Sequence, residues 1–171
     1  MSILQLAPEH ADAAFALRFE SLRPEPFAPL FLLSDDELFD RGMRRVIASP
    51  VPGINYPCRV SLDFPQGGEE LLLVNHRHLD RDTTPYRAEG PVFVRRLAQA
   101  YARLDEFPPI ILQREMAVRA YDAEGMMIEA DLAAKEELKV LTRVWLARAD
   151  VAHVDFHSAR RGCFFARVRR A

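Results

Sequence analysis

The chain has 171 residues, 49% of them hydrophobic and 28% charged, the composition of an average globular protein. Lys plus Arg number 23 and Asp plus Glu 25, so a net charge of −2 gives no electrostatic reason to expect nucleic acid or an anionic membrane. No apolar run approaches the roughly 18 residues that cross a bilayer, and the start Met1-Ser2-Ile3-Leu4-Gln5-Leu6 lacks a basic segment followed by an apolar one, so the expectation is a soluble, cytoplasmic protein.

Only Lys135 and Lys139 are lysines; every other cation is arginine, a bias that a GC-rich genome explains more simply than phosphate binding. Two isolated cysteines, Cys58 and Cys163, form neither a disulfide framework nor a zinc knuckle.

In chain order, Ile3 to Leu6 reads as a short strand, and Pro8 to Glu20 carries two signals. Its alanines favour a helix, whereas Phe15, Leu17 and Phe19 alternate like a strand. Pro24, Pro26 and Pro29 force extended or turn structure. Ser34-Asp35-Asp36-Glu37 spells a capping box, which predicts a helix from Asp35 to about Arg41, stopped at Gly42. Met43 to Ala48 then reads as a strand. Tyr56 to Phe64 alternates, with Cys58, Val60 and Leu62 inward and Arg59, Ser61 and Asp63 outward, which predicts another. Beyond the turn Pro65-Gln66-Gly67-Gly68, Leu71 to Val74 is apolar on both faces and suits a central strand. Pro91 to Arg95 is a further strand, and the spacing of Leu97, Tyr101 and Leu104 predicts a short helix.

Two hairpins follow. Met116 to Leu132 turns at Asp122-Ala123-Glu124-Gly125, and a three-residue loop ending in Gly125 keeps Met116, Val118, Ala120, Ile128, Ala130 and Leu132 on one face, with Arg119 opposite Glu129. In the last hairpin Val154, Phe156, Phe164, Ala166 and Val168 want the core, and His153, Asp155, His157, Arg167 and Arg169 do not. A loop of Arg160-Arg161-Gly162 then sets Asp155 opposite Arg167; an even-length loop is rejected because it would put charged residues beside core residues. Between the hairpins, Leu138, Leu141, Thr142, Trp145, Leu146 and Ala149 form a helical stripe, with Glu136 and Glu137 in its first turn and Arg148 at its end. The predicted architecture is one α+β domain over residues 1–171, its first 33 residues proline-rich and partly irregular. It is mainly an antiparallel sheet, its apolar face covered by the C-terminal helix.

These segments resemble a bacterial family catalogued as domain of unknown function 1203. The resemblance rests on Pro57-Cys58-Arg59-Val60-Ser61-Leu62, Leu71-Leu72-Leu73, Pro85-Tyr86-Arg87-Ala88 running into Gly90-Pro91-Val92-Phe93-Val94-Arg95, Val118-Arg119-Ala120-Tyr121-Asp122 with Gly125, and His157-Ser158-Ala159-Arg160-Arg161-Gly162-Cys163-Phe164 with Arg167-Val168. It spans about Leu17 to the C-terminus and implies no activity, cofactor or catalytic residue. Where the family pattern reads His-x-His-Asn-Ala, this chain has Asp155-Phe156-His157-Ser158-Ala159, with His153 two residues earlier on the same face.

Several constellations carry chemistry. Cys163 with His157, oriented by Asp155, has the makings of an activated nucleophile; the same residues fit a hairpin with a merely polar outer face. His76, His78, His153, His157 and Cys163 are of metal-ligand type, or simply a solvated face. Arg59, Arg87, Arg119 and Arg167 fall on polar strand faces or beside them and suit a small anionic ligand, although Arg119 and Arg167 also have carboxylate partners in the predicted register. The expected function is therefore a small-molecule site on the polar sheet face, with or without catalysis. A protein-interaction module using a sheet edge or helix flank is the alternative, and nucleic acid is the weakest partner. The sequence specifies no cofactor and no oligomeric state.

Overall fold

The computed structural model describes residues 15–51, 53 and 56–171; the expected strand at Ile3–Leu6 and most of the Pro8–Glu20 segment lie outside them. Strands β1 (Leu17–Glu20), β2 (Arg44–Ile47), β3 (Glu70–Leu79), β4 (Ala88–Arg95), β5 (Met116–Tyr121), β6 (Met127–Ala133), β7 (His153–Ser158) and β8 (Phe164–Arg170) form two sheets. One has the order β1-β8-β7-β5-β6 and the other β2-β3-β4, with every strand pair antiparallel. Helices α1 (Asp35–Asp40), α2 (Pro109–Leu112) and α3 (Lys135–Ala147) complete an α+β fold. No helix among the described residues is long and apolar enough to cross a membrane.

Local chemistry explains the helices. Ser34 Oγ accepts from the Glu37 N–H at 3.2 Å and the Glu37 carboxylate accepts from the Ser34 N–H at 2.7 Å, so the predicted capping box starts α1. Helix α3 buries Leu138, Leu141, Thr142, Trp145 and Leu146 against the five-stranded sheet, where they join Met116, Val118, Val154, Phe156 and Val168; Ala149 lies beyond the helix, exposed. The cation at its C-terminal end comes from another element: Arg170 donates to the carbonyls of Leu146, Arg148 and Val151, satisfying oxygens that the helix leaves free. A second core, with Phe31, Leu38, Cys58, Val60, Leu72, Val74, Val92 and Val94, lies on one face of the three-stranded sheet.

The hairpin registers depart from expectation through bulges. In the first, the turn is as predicted, with Gly125 at φ 84°, but a bulge past Ala120 slips β6 by one residue. Arg119 therefore faces Ala130, and Ala120 faces Glu129; Leu132 is 53% exposed on this edge strand. In the second, Asp155 does pair with Arg167, yet the connection is the even-length one. Ser158 N–H donates to the Cys163 carbonyl, which leaves four residues in the turn, and a bulge between Phe156 and His157 restores parity by adding Phe165 to β8.

Two expected elements are absent. Tyr56 to Phe64 is not a strand: Cys58 N–H donates to the Asp63 carbonyl at 2.9 Å and Leu62 sits at φ 51°, so the chain turns back on itself. The residues expected inward are buried but divided between cores, with Cys58 and Val60 in the second and Leu62 in the first, and Arg59, expected outward, is buried between them. Leu97 to Leu104 is not a helix either. Leu97 is 93% exposed at φ 57°, and Leu104 bridges to Arg18 as an extended cover on β1.

The polar face of the five-stranded sheet is also not solvated. The three-stranded sheet covers it, so His153, Asp155 and His157 are buried. Arg167 donates from Nε and Nη2 to the two Asp155 oxygens at 2.7 and 2.8 Å, and from Nη2 to the His78 carbonyl on β3 at 3.1 Å. The His78 ring stacks on Phe164 at 4.7 Å and meets His157 edge-on at 5.1 Å, while His153 stacks on Tyr121 at 5.0 Å. His157 Nδ1 lies 3.0 Å from the Gly162 carbonyl, which can only accept, so Nδ1 carries the proton and the buried Nε2 is a free base. Burial first, then the neighbouring arginines, lowers His157 to about 3 and His153 to about 2.

Both histidines are thus neutral when folded but protonate near 6.5 once unfolded. The unfolded chain takes up these protons first, so stability is complete above pH 6.5 and declines as pH falls from there toward the folded values. Each histidine adds about 1.4 kcal/mol per pH unit to that slope. Urea unfolding between about pH 7 and pH 4 is expected to show a slope reduced by about that amount in His157→Gln; parallel profiles would refute the neutral buried state. Phe156, fully buried and stacked on Phe19, is expected to cost about 3–5 kcal/mol on truncation in Phe156→Ala, read from the urea midpoint at constant m-value.

Candidate functional site: an arginine-lined cleft between the sheets

A cleft of about 470 Å³ opens where the β7–β8 turn faces β3 and β4. One wall is Pro57, Arg59, Leu73, Pro91 and Phe93; the other is Arg114, Ser158, Arg160, Arg161, Cys163 and Phe165, with Gly53 at the margin. Among the described residues, four guanidinium groups line it and no carboxylate does.

Arg59 is held by the turned segment that sequence periodicity assigns to a strand. Its backbone N–H donates to the Phe93 carbonyl on β4, and its carbonyl accepts from Leu22. Its side chain is 2% exposed, donating from Nε to the Phe164 carbonyl at 2.8 Å and from Nη1 to the Pro57 carbonyl. The guanidinium carbon lies 4.3 Å from the Phe165 ring centre, and Arg114 approaches the same ring at 5.3 Å. Nη2 of Arg59 has no acceptor among the described residues. Arg114 Nε is buried without a partner. Burial lowers Arg59 to about 10, which leaves it charged at neutral pH, and burial together with Arg161 lowers Arg114. Arg160 and Arg161 are exposed at the tip of the β7–β8 turn. None of the four makes an ion pair among the described residues, whereas Arg45, Arg95, Arg148 and Arg167 each do.

Bidentate binding of carboxylate or phosphate is the chemistry that unpaired guanidinium groups around a concavity can perform. The apolar lining, Leu73, Pro91 and Phe93, would meet the carbon body of a ligand.

The residues singled out in the sequence fall into three places. Arg59 and Cys163 share the cleft. His157, Asp155 and Arg167 lie in the buried layer between the sheets. Arg119 shares that layer, where it faces Asp155 across the β5–β7 pair and its charge bears on Tyr121 and His157. Arg87 stands apart on the surface, paired with Asp82 at 2.5 Å. Cys163 and His157 are therefore not partners: the Cys163 thiol contacts the Arg161 carbonyl at 3.9 Å, and His157 packs on His78 and Phe164. The bulge at Phe165 is the reason, since it sends Phe164 toward the histidines and Phe165 toward Arg59. Arg114, Arg160 and Arg161 were not among the sequence candidates for a ligand. The signal for the last two is a pair of consecutive arginines in a tight turn without a nearby acid; Arg114 has no signal before the strands are assembled. His76 and His78 share β3, but among the described residues no group of three or more His, Cys, Asp or Glu is placed to hold a metal ion.

No curated protein and no solved structure matches the chain. A family model described as "Protein of unknown function (DUF1203)" matches residues 55–170, which takes in both walls of the cleft except Gly53, together with the buried polar layer. The match covers well over half of the sequence, and the chain belongs to the DUF1203 family.

Proposed function

We propose that the protein binds a small anionic ligand, a carboxylate or phosphate compound, in the cleft between the sheets. The observation that carries this reading is the composition of the lining, Arg59, Arg114, Arg160 and Arg161 with no acidic residue among the described ones, in a chain whose net charge is −2. Elsewhere the arginines are mostly neutralised by carboxylates, so the excess positive charge is local. A half-enclosed cleft with apolar walls strengthens the attraction of such charges for an anion. Cys58 and Cys163 are both free thiols, which supports a reducing, cytoplasmic setting.

A second reading, a docking module for another protein, is favoured by a separate groove of about 780 Å³ near Phe27, Phe31 and Val94, which Leu32 and Leu97 border while 79% and 93% exposed. The two readings separate in one titration. Isothermal calorimetry with inorganic phosphate and with citrate at low salt is expected to give saturable binding that weakens as salt rises. The double variant Arg160→Ala/Arg161→Ala is expected to weaken it roughly tenfold or more, since each charge-assisted hydrogen bond contributes about 1.5–3 kcal/mol, while Arg87→Ala leaves it unchanged. Absence of saturable binding, or equal binding by the double variant, would overturn the anion reading.

A further inference from the structure

Cys163 brings a thiol to the lining of the cleft. It is a free thiol, partly exposed, on the wall that also carries Arg114, Arg160 and Arg161. Arg59, 2% exposed, lines the same cleft, and its Nη2 has no acceptor among the described residues. A buried cation left with donor capacity toward a cavity marks a place where an anion completes its surroundings. The other cysteine is excluded from such chemistry: Cys58 is fully buried in the second core, and its sulfur accepts from the Arg95 N–H at 3.3 Å.

We infer that Cys163 is a covalent acceptor for anionic low-molecular-weight disulfides, which the four cleft arginines recruit; this rests on reading the cleft as an anion site. The step is thiol–disulfide exchange. The Cys163 thiol gives its proton to solvent, and its sulfur attacks one sulfur of R–S–S–R. The Cys163–S–S–R bond forms as the original S–S bond breaks, and the other half departs as R–S⁻. The disulfide is its own oxidant and its departing half is the reduced product, so no further redox partner is required. Carboxylates on R would be held by the guanidinium forks, and the carbon framework would lie along Leu73 and Phe93. Because Cys58 is sealed, the product is a mixed disulfide on Cys163, reversible by a second thiol.

The test compares a dianionic disulfide, dithiobis(nitrobenzoate), with the cationic disulfide cystamine on the full chain, each rate being divided by that of the urea-unfolded chain to remove intrinsic reactivity. The native protein is expected to favour the anionic reagent by roughly tenfold or more, with the preference collapsing at high salt. Mass spectrometry should place the adduct on Cys163, Cys163→Ser should abolish it, and Cys58→Ala should retain it. Arg160→Ala/Arg161→Ala should lose the charge preference while keeping its circular dichroism spectrum. Equal normalised rates for the two reagents, or an adduct on Cys58, would overturn the inference. Phosphate titration of Cys163→Ser separates the two levels: binding retained there, alongside unselective exchange in the parent chain, removes the covalent step and leaves the anion site standing.

Discussion

The fork between Arg167 and Asp155 is the interaction on which the arrangement of the two sheets depends. Asp155 has no exposed surface, and burial pushes its carboxyl up even as Arg167 pulls it down. Such a group is tolerable only with a partner of matching geometry, and removing one side of a buried pair costs about 3–5 kcal/mol. Arg167 provides that geometry and also reaches the His78 carbonyl, so the same guanidinium that satisfies the acid ties β8 to β3 of the other sheet. The three-stranded sheet can then lie over a polar face, provided that the buried histidines there are uncharged. The depressed protonation of His153 and His157 meets this condition.

That layer shows where sequence reasoning reaches and where it stops. Face assignment is legible from alternation along β7 and, in β8, from Ala166 onward, and Asp155 does pair with Arg167; at Phe164 the bulge reverses it. Alternation reports sidedness, however, not solvent: a face of His, Asp and Arg reads as wet, and only the packing of a second sheet makes it dry. Alternation also misleads at Tyr56–Phe64, where a folded-back segment feeds two cores and Pro57 to Val60 are buried in succession. At Leu97 the helical spacing is accidental, since nothing in the chain opposes an exposed leucine that other contacts hold in a left-handed conformation. By contrast, the capping box, the stripe of α3 and the apolar centre of β3 are determined by neighbours in sequence, and the structure follows them.

The site was legible only in part, for a related reason. Arg59 stands out as an arginine without a partner in the hairpin registers, and its buried side chain meets no carboxylate among the described residues. The arginines that join it come from the turn after β7 and from the residue two before β5, positions with no common spacing in the chain. Their convergence is a property of sheet assembly. The same assembly removes Arg87, whose neighbour Asp82 claims it at the surface, and takes His157 away from Cys163.

The decisive local feature is the one-residue insertion in β8. A regular odd-numbered turn would have made Phe164 and Ala166 equivalent inward residues and left Phe165 among the polar ones. With the bulge, consecutive phenylalanines serve opposite sides: Phe164 stacks on His78 in the buried layer, and Phe165 presents its ring to Arg59 and Arg114. Both are at most 5% exposed, so the extra residue introduces no surface apolar group. It also turns Cys163, the residue just before the strand, away from the histidines and onto the arginine wall. Bulges re-aim side chains while leaving the distant register intact, and here the distant register is the Asp155–Arg167 pair. One inserted residue therefore lets the strand keep the clamp that joins the sheets and still furnish the aromatic and thiol surface of the cleft at its end.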